Sequence, residues 1–463
     1  MQKLLRMNLS VYTKEFSYNI KLAYPIILSM LGHTLVGVID NIMVGKIGAT
    51  ELAAASLANS FVFIGMSVLV GFSSAITPLV ASSDAEGNID KGKRVLANGL
   101  WLTSVLGVII FMLLFALKPY LHYMKQSPEV TTMARPFLDI VALSLIPLAI
   151  FQAMKQFTDG KSLTKYSMYA TLISNVINVF FNYVLIYGVW FFPEMGMMGA
   201  AYGTLISRIA MLIYMAYVLK FHEIFKPYVS NVSWNLLDKN ISKTIAKIGF
   251  PSSMQSLFEV GLFTGAVWIS GVLGTSAQAA NQIALSISSM TFMFASGLSV
   301  AAMIRVGNSM GSKNYIQAKV VSQSIMLMAL ILYVGFAIMF FLFNNLIPLL
   351  FLDVNDTTQW ALNQEVIAIA SKLLLIAALF QIVDGIQVVT LGSLRGMQDV
   401  NIPMILTFIS YWIIGFGLCI YLSFYTNLGA QGIWYGLLGG LASAAIFLYI
   451  RFELKTKSLI NSL

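Results

Sequence analysis

The chain has 463 residues, 58% of them hydrophobic and only 10% charged, too little charge to cover a water-soluble globule of this size. The net charge of +9 sits singly between apolar runs rather than in a patch, which excludes a nucleic-acid surface and reads as membrane topology. The single cysteine, Cys419, excludes an intrachain disulfide.

Taken in order, windows of about twenty residues give twelve apolar spans. They fall near 21–44, 54–80, 95–116, 133–153, 166–188, 198–219, 245–273, 279–304, 321–343, 367–392, 402–424 and 430–451. The polar start before the first span carries mixed charge and no small-residue cleavage site, so that span is expected to direct insertion itself. The long polar connection from Lys220 to Lys243 divides the spans six and six. An N-terminal lobe is therefore expected over 1–225, a cytoplasmic linker over 226–243 and a C-terminal lobe over 244–463. The termini and even-numbered connections hold twenty Lys and Arg, among them Lys3, Arg6, Lys155, Arg305, Arg395 and Arg451. The other side holds four, Lys46, Lys118, Lys125 and Arg135. This bias predicts an even number of spans with both termini cytoplasmic.

The halves repeat. A shift of 226 positions sets Pro25 on Pro251, Gly48 on Gly274, Asn88 on Asn314 and Lys93 on Lys319. Farther on, Gly160 falls on Gly396, and the GAAYG run from Gly199 falls on GIWYG from Gly432. Six spans per half make the repeat parallel, which predicts an all-α membrane protein of two six-helix lobes around a central cleft, working by alternating access.

The acids do not follow the repeat. Asp384 lies in AALFQIVDGIQVVTLGSLRG and Glu259 in MQSLFEVGLFTGAVWISGVLG, each alone in an apolar run. A charge there costs about 2.5–3.5 kcal/mol on insertion scales, so each acid is expected to face a cavity on a cation path. Asp40 is a third acid, nearer the end of span one, with Lys46 as its alternative partner; His33 lies two turns away and reads as a packing residue. Asn175, Asn178 and Asn182 recur at spacings of three and four and form one polar stripe on span five, suited to lining a cavity beside Asp40. Gln255, Asn281, Gln282 and Gln387 offer neutral oxygens near the two C-terminal acids. Arg208, deep in span six, is expected to pair structurally with a carboxylate or to reach for the interface. The three histidines make no metal motif and no phosphate-cradling loop is present, so neither an enzyme nor an ATP-driven pump is expected.

Five strings, PIILSMLGHTLVGVIDNIMVGKIG, NVINVFFNYVLIYG, SLFEVGLF, AAMIRVGNSMGSKN and VDGIQVVTLGSLRGMQD, resemble the multidrug and toxic compound extrusion (MATE) family, in its bacterial NorM-type branch and in the family's order. The resemblance implies an antiporter of the bacterial inner membrane that exports organic cations as sodium ions or protons enter. It implies coupling-ion roles for Glu259 and Asp384, where sodium would bind, and a match of Asp40 to the span-one acid. Two positions depart from the pattern. Asn182 stands where other branches carry a titratable Asp, and Phe380, which has no oxygen, stands where a Tyr is expected one turn before Asp384. No cofactor and no protein partner are implied, and a monomer is expected. The alternative is a lipid or lipid-linked sugar flippase on a related twelve-span scaffold, for which a more basic cleft would be expected.

Overall fold

A computed structural model describes residues 9–124, 127–229, 236–352 and 360–462. Lys3, Arg6 and Lys125 of the charge bias, and 230–235 of the expected linker, lie outside the described residues.

Among the described residues the chain is helical, with no strand. After a short helix, Leu9–Thr13, twelve long helices follow: α1 Phe16–Gly45, α2 Ala49–Ala85, α3 Ile89–Leu117, α4 Pro128–Gly160, α5 Lys165–Tyr187, α6 Met197–Phe221, α7 Lys239–Val272, α8 Thr275–Gly311, α9 Tyr315–Phe343, α10 Trp360–Gly396, α11 Asn401–Phe424 and α12 Ala430–Asn461. Eleven of these are long and apolar enough to cross a membrane; α7, which carries Gln255 and Glu259 mid-helix, is the one not among them. The predicted spans coincide with these helices, 166–188 and 245–273 overrunning their ends by one residue, and most of the helices run on past them, because hydropathy marks where side chains leave lipid while backbone hydrogen bonding continues.

Within the expected linker, Lys226–Val229 forms a helical turn against α3 with Phe225 and Tyr228 buried. Lys161 sits beside it, bonded to Asp84 and, at 2.9 Å, to the Tyr228 hydroxyl. Burial alone would lower the Lys161 pKa, but the bonds to Asp84 and Tyr228 outweigh it and raise it.

Two helices bend at a serine that bonds back to its own backbone. In α2, Ser74 Oγ donates to the Gly71 carbonyl at 2.7 Å; in α4, Ser144 Oγ donates to the Val141 carbonyl at 2.6 Å. In α11 the stretch Ile409–Phe416 is π-helical, a form enriched at functional sites.

The repeat is visible in the backbone. Asn88 and Asn314 both cap helices, accepting from the N–H of Lys91 and of Gln317. Left-handed residues recur in pairs: Gly87 (φ 67) with Lys313 (φ 55), Ser162 (φ 61) with Gln398 (φ 58), and Gly196 (φ 53) with Gly429 (φ 51). A Cβ on Gly160 would strike the Thr77 carbonyl and Val80, and one on Gly396 the Met303 carbonyl and Val306, which are the same positions 226 residues on.

Contacts divide the chain into two compact units, 24–253 and 1–23 with 254–463. Each has its own apolar core, one around Leu69, Phe137 and Met215, the other around Leu262, Phe380 and Trp434. The divisions fall inside α1 and α7, close to the repeat-related Pro25 and Pro251. Each proline removes one backbone hydrogen bond from its helix.

The start of α1 therefore packs with the second unit. Arg305 of α8 donates to Glu15 at 2.7 Å and Asn19 at 2.5 Å and covers the Tyr18 ring, while Ser324 of α9 donates to the Tyr12 carbonyl at 2.7 Å. The start of α7 packs with the first unit through Asn98 of α3, which accepts from Asp238 N at 3.0 Å and Ser242 Oγ at 2.7 Å and donates to the Leu236 carbonyl at 3.0 Å. Asn98 and Ser324 are equivalent positions of the repeat.

Candidate functional site

The first polar cluster lies in unit 24–253, where α1 and α5 run side by side. Ser29 Oγ donates to Thr171 at 2.8 Å, Gly32 packs against the Asn175 amide, and Asn182 Nδ2 donates to Asp40 Oδ1 at 2.6 Å. The same nitrogen lies 3.3 Å from Asn178 Oδ1. Asn178 and Asn182 are buried and Asn175 half-buried, so the stripe faces α1, with its last member on the acid. Asp40 makes no ion pair with Lys46 among the described residues. Arg208 donates to Ser144 Oγ at 2.6 Å, at the bend of α4, close enough for its charge to act on Asp40. Asn182 Oδ1 is buried without a partner among the described residues, pressed on Gly203 of α6, where any Cβ would overlap it. His33 is exposed.

The second cluster lies in the unit holding 254–463. Glu259 on α7 is half-buried and Asp384 on α10 is 3% exposed, close enough for the Glu259 charge to act on it. Neither forms an ion pair among the described residues. Asp384 Oδ1, both amide atoms of Gln381 and of Gln387, Ser410 Oγ and the Tyr411 hydroxyl are all buried without a hydrogen-bond partner among the described residues. Native interiors leave few such atoms; Gln381 and Gln387 lie three residues to either side of Asp384 on α10, so their amides share a face of the helix with its carboxyl and offer polar atoms that water or a cation would satisfy.

The other predicted oxygens are placed differently. Gln255 Oε1 accepts from Arg395 Nε and Nη2 at 3.1 and 2.8 Å, and its Nε2 donates to the Val400 carbonyl at 3.1 Å. Asn281 Oδ1 accepts from Trp434 Nε1 at 3.0 Å, and its Nδ2 lies 3.3 Å from Ser270 Oγ. Both oxygens are therefore engaged within the protein. Gln282 is exposed, and Phe380 packs edge-on to Trp434 and Phe263. The carboxyl and amide oxygens of Asp384, Gln381 and Gln387 form the donor set that fits a hard cation or a proton.

Sequence reasoning missed Gln381, Ser410, Tyr411 and the position of Arg395. A basic residue at a helix end reads as a topology charge. The missed signal was the repeat itself, which sets Arg395 on Asp159, a buried acid tied to Lys155 at 2.9 Å and Ser167 at 2.8 Å.

Comparison with known proteins places these clusters in a family. The family model described as MatE matches residues 25–184 and 251–421. A probable multidrug resistance protein NorM of Rhizobium meliloti is 34% identical over 443 residues, covering 95% of this chain and 93% of that protein. The multidrug resistance protein NorM of Vibrio cholerae is 32% identical over 444 residues, covering 94% of this chain and 95% of that one. Among solved structures, the eukaryotic MATE transporter AtDTX14 superposes with a TM-score of 0.86 at 20% identity, covering 97% of this chain and 99% of that one. An outward-facing multidrug resistance MATE family transporter superposes at 0.85 with 20% identity over 96% of each chain. At that identity the two structures speak to the fold.

Proposed function

Because the chain belongs to the MatE family and is a multi-pass membrane transporter of the MATE fold, we propose that it is a cation-coupled antiporter. In this reading it exports organic, amphipathic cations by alternating access while sodium ions or protons enter. The observation that carries this reading is the pair Glu259 and Asp384: two carboxylates in helix interiors, neither in an ion pair among the described residues, with the unpartnered amides of Gln381 and Gln387 three residues to either side of Asp384. The names of the NorM relatives support drug-like substrates. Loading the acids with an incoming cation removes the negative charge that retains a cationic substrate, and the substrate leaves. One charge entering down about 100 mV contributes about 2.3 kcal/mol to that exchange. Asp40 with Asn178 and Asn182 is a second polar site, lining the substrate path. The protein acts as a monomer in the bacterial inner membrane, its termini cytoplasmic as the Lys and Arg bias directs.

The test is reconstitution in liposomes loaded with ethidium, with sodium and proton gradients imposed separately. One gradient should drive efflux, and Glu259→Gln and Asp384→Asn should each lower the driven rate by at least about tenfold, a loss of about 1.4 kcal/mol in coupling. Efflux unchanged in both variants would remove these acids from the mechanism.

A further inference from the structure

Arg395 occupies the last turn of α10, and among the described residues its guanidinium has no carboxylate at ion-pair distance. Its Nε and Nη2 both bond to one neutral oxygen, Gln255 Oε1. Gln255 is held from its other end by the Val400 carbonyl, so the amide cannot swing away without breaking two sets of bonds. Glu259 follows Gln255 by four residues, which places it on the same face of α7, about 6 Å farther along the axis. The guanidinium charge acts on Glu259. A carboxylate at position 255 would cancel that charge; an amide fixes the cation and leaves its charge whole.

We propose that Arg395, held by Gln255, is the built-in counter-charge of Glu259: it balances the carboxylate when no coupling cation is bound and competes with that cation when one arrives. This rests on the cation-coupled reading above and adds to it the step that reading lacks. An emptied carboxylate inside a low-dielectric helix bundle is costly to leave bare. A fixed guanidinium nearby lowers that cost and favours release of the incoming cation, so the carrier can reset. Asp384 is eleven residues from Arg395 on α10, about 16 Å along the helix. The two acids are therefore unequal, with Glu259 the one biased toward release. At the equivalent position of the other half stands an acid, Asp159, bonded to Lys155 and Ser167.

Arg395 is on this account a positioning residue, and its test needs a readout that a simple α7–α10 clamp would not move. In liposomes the coupling-cation concentration giving half-maximal ethidium efflux is measured for the wild type, Arg395→Gln and Arg395→Lys. Arg395→Gln should lower that concentration about tenfold, the order expected for unit charges roughly 10 Å apart at an effective dielectric near 20, while the maximal rate falls because release is slowed. Arg395→Lys, which keeps the charge, should stay near the wild type. Gln255→Met, which frees the guanidinium to approach Glu259, should move the concentration the opposite way, and it serves as the reading if Arg395→Gln does not fold. An unchanged half-maximal concentration in the folded variants, with only the rate reduced, overturns the proposal. A wild-type protein driven by neither sodium nor protons defeats instead the cation-coupled reading, which separates the two failures.

Discussion

Asp40 shows how much one residue can depend on one amide. Its Oδ1 takes a 2.6 Å bond from Asn182, and a hydrogen bond to a charged group is worth about 1.5–3 kcal/mol. Asn182→Ala should lower stability by about that amount, read from thermal unfolding in detergent, while Asn182→Asp should destabilise by setting two acids together. A smaller gain is available at Lys313, which holds φ 55 where its repeat partner Gly87 holds φ 67. Lys313→Gly should stabilise by about 0.5–1 kcal/mol, since a side chain in the left-handed region is strained; a lowered melting temperature would contradict this. Of the candidate site residues, the acids were the legible ones, because a charge in an apolar run has few explanations. Arg395 was illegible because its meaning lies in what Gln255 does with it, and Gln255 is 140 residues away in the chain.

Among the elements, α7 depends most on its first turn. Asp238 accepts from the backbone N–H of Asn240 at 2.8 Å and of Ile241 at 3.4 Å, and Arg94 adds a bond at 3.1 Å. The Asn240 N–H, opposed by desolvation and helped by Ile241 and Arg94, holds the Asp238 carboxyl below the usual range. A lowered carboxyl contributes stability that is present above its unfolded pKa near 4 and is lost as pH falls through the lower folded value. Asp238→Ala should therefore reduce stability at neutral pH and flatten the acid side of the stability profile below about pH 4; a profile as steep as the wild type would refute the assignment. Asn98 should matter more. It is fully buried and its loss strands the Leu236 carbonyl, the Asp238 N–H and the Ser242 hydroxyl, so Asn98→Ala should cost about 1–3 kcal/mol. The twelve helices were legible from hydropathy. Their true ends, the bends at Ser74 and Ser144 and the π-helical stretch around Tyr411 were not, because they are set by single hydroxyls and close backbone packing rather than by any apolar count.

At the scale of the whole molecule the internal repeat was the most informative sequence feature, since caps and left-handed residues recur at the positions it pairs. It did not reveal that contacts part the chain inside α1 and α7. Sequence similarity marks where a segment was copied from, whereas packing marks where it now rests, and the two disagree by the opening turns of each half. A chain severed within 230–235 should give two fragments that are unstable when made separately, because each holds turns that pack in the other unit. Co-expression should restore a complex that purifies together and unfolds near the intact protein's temperature. Either fragment alone matching that temperature would show the crossed turns to be dispensable. The crossing also bears on ancestry: a single-copy forerunner of this gene, built on the same plan, would have lent its first turns to a twin and borrowed the twin's in return, complete only as a pair.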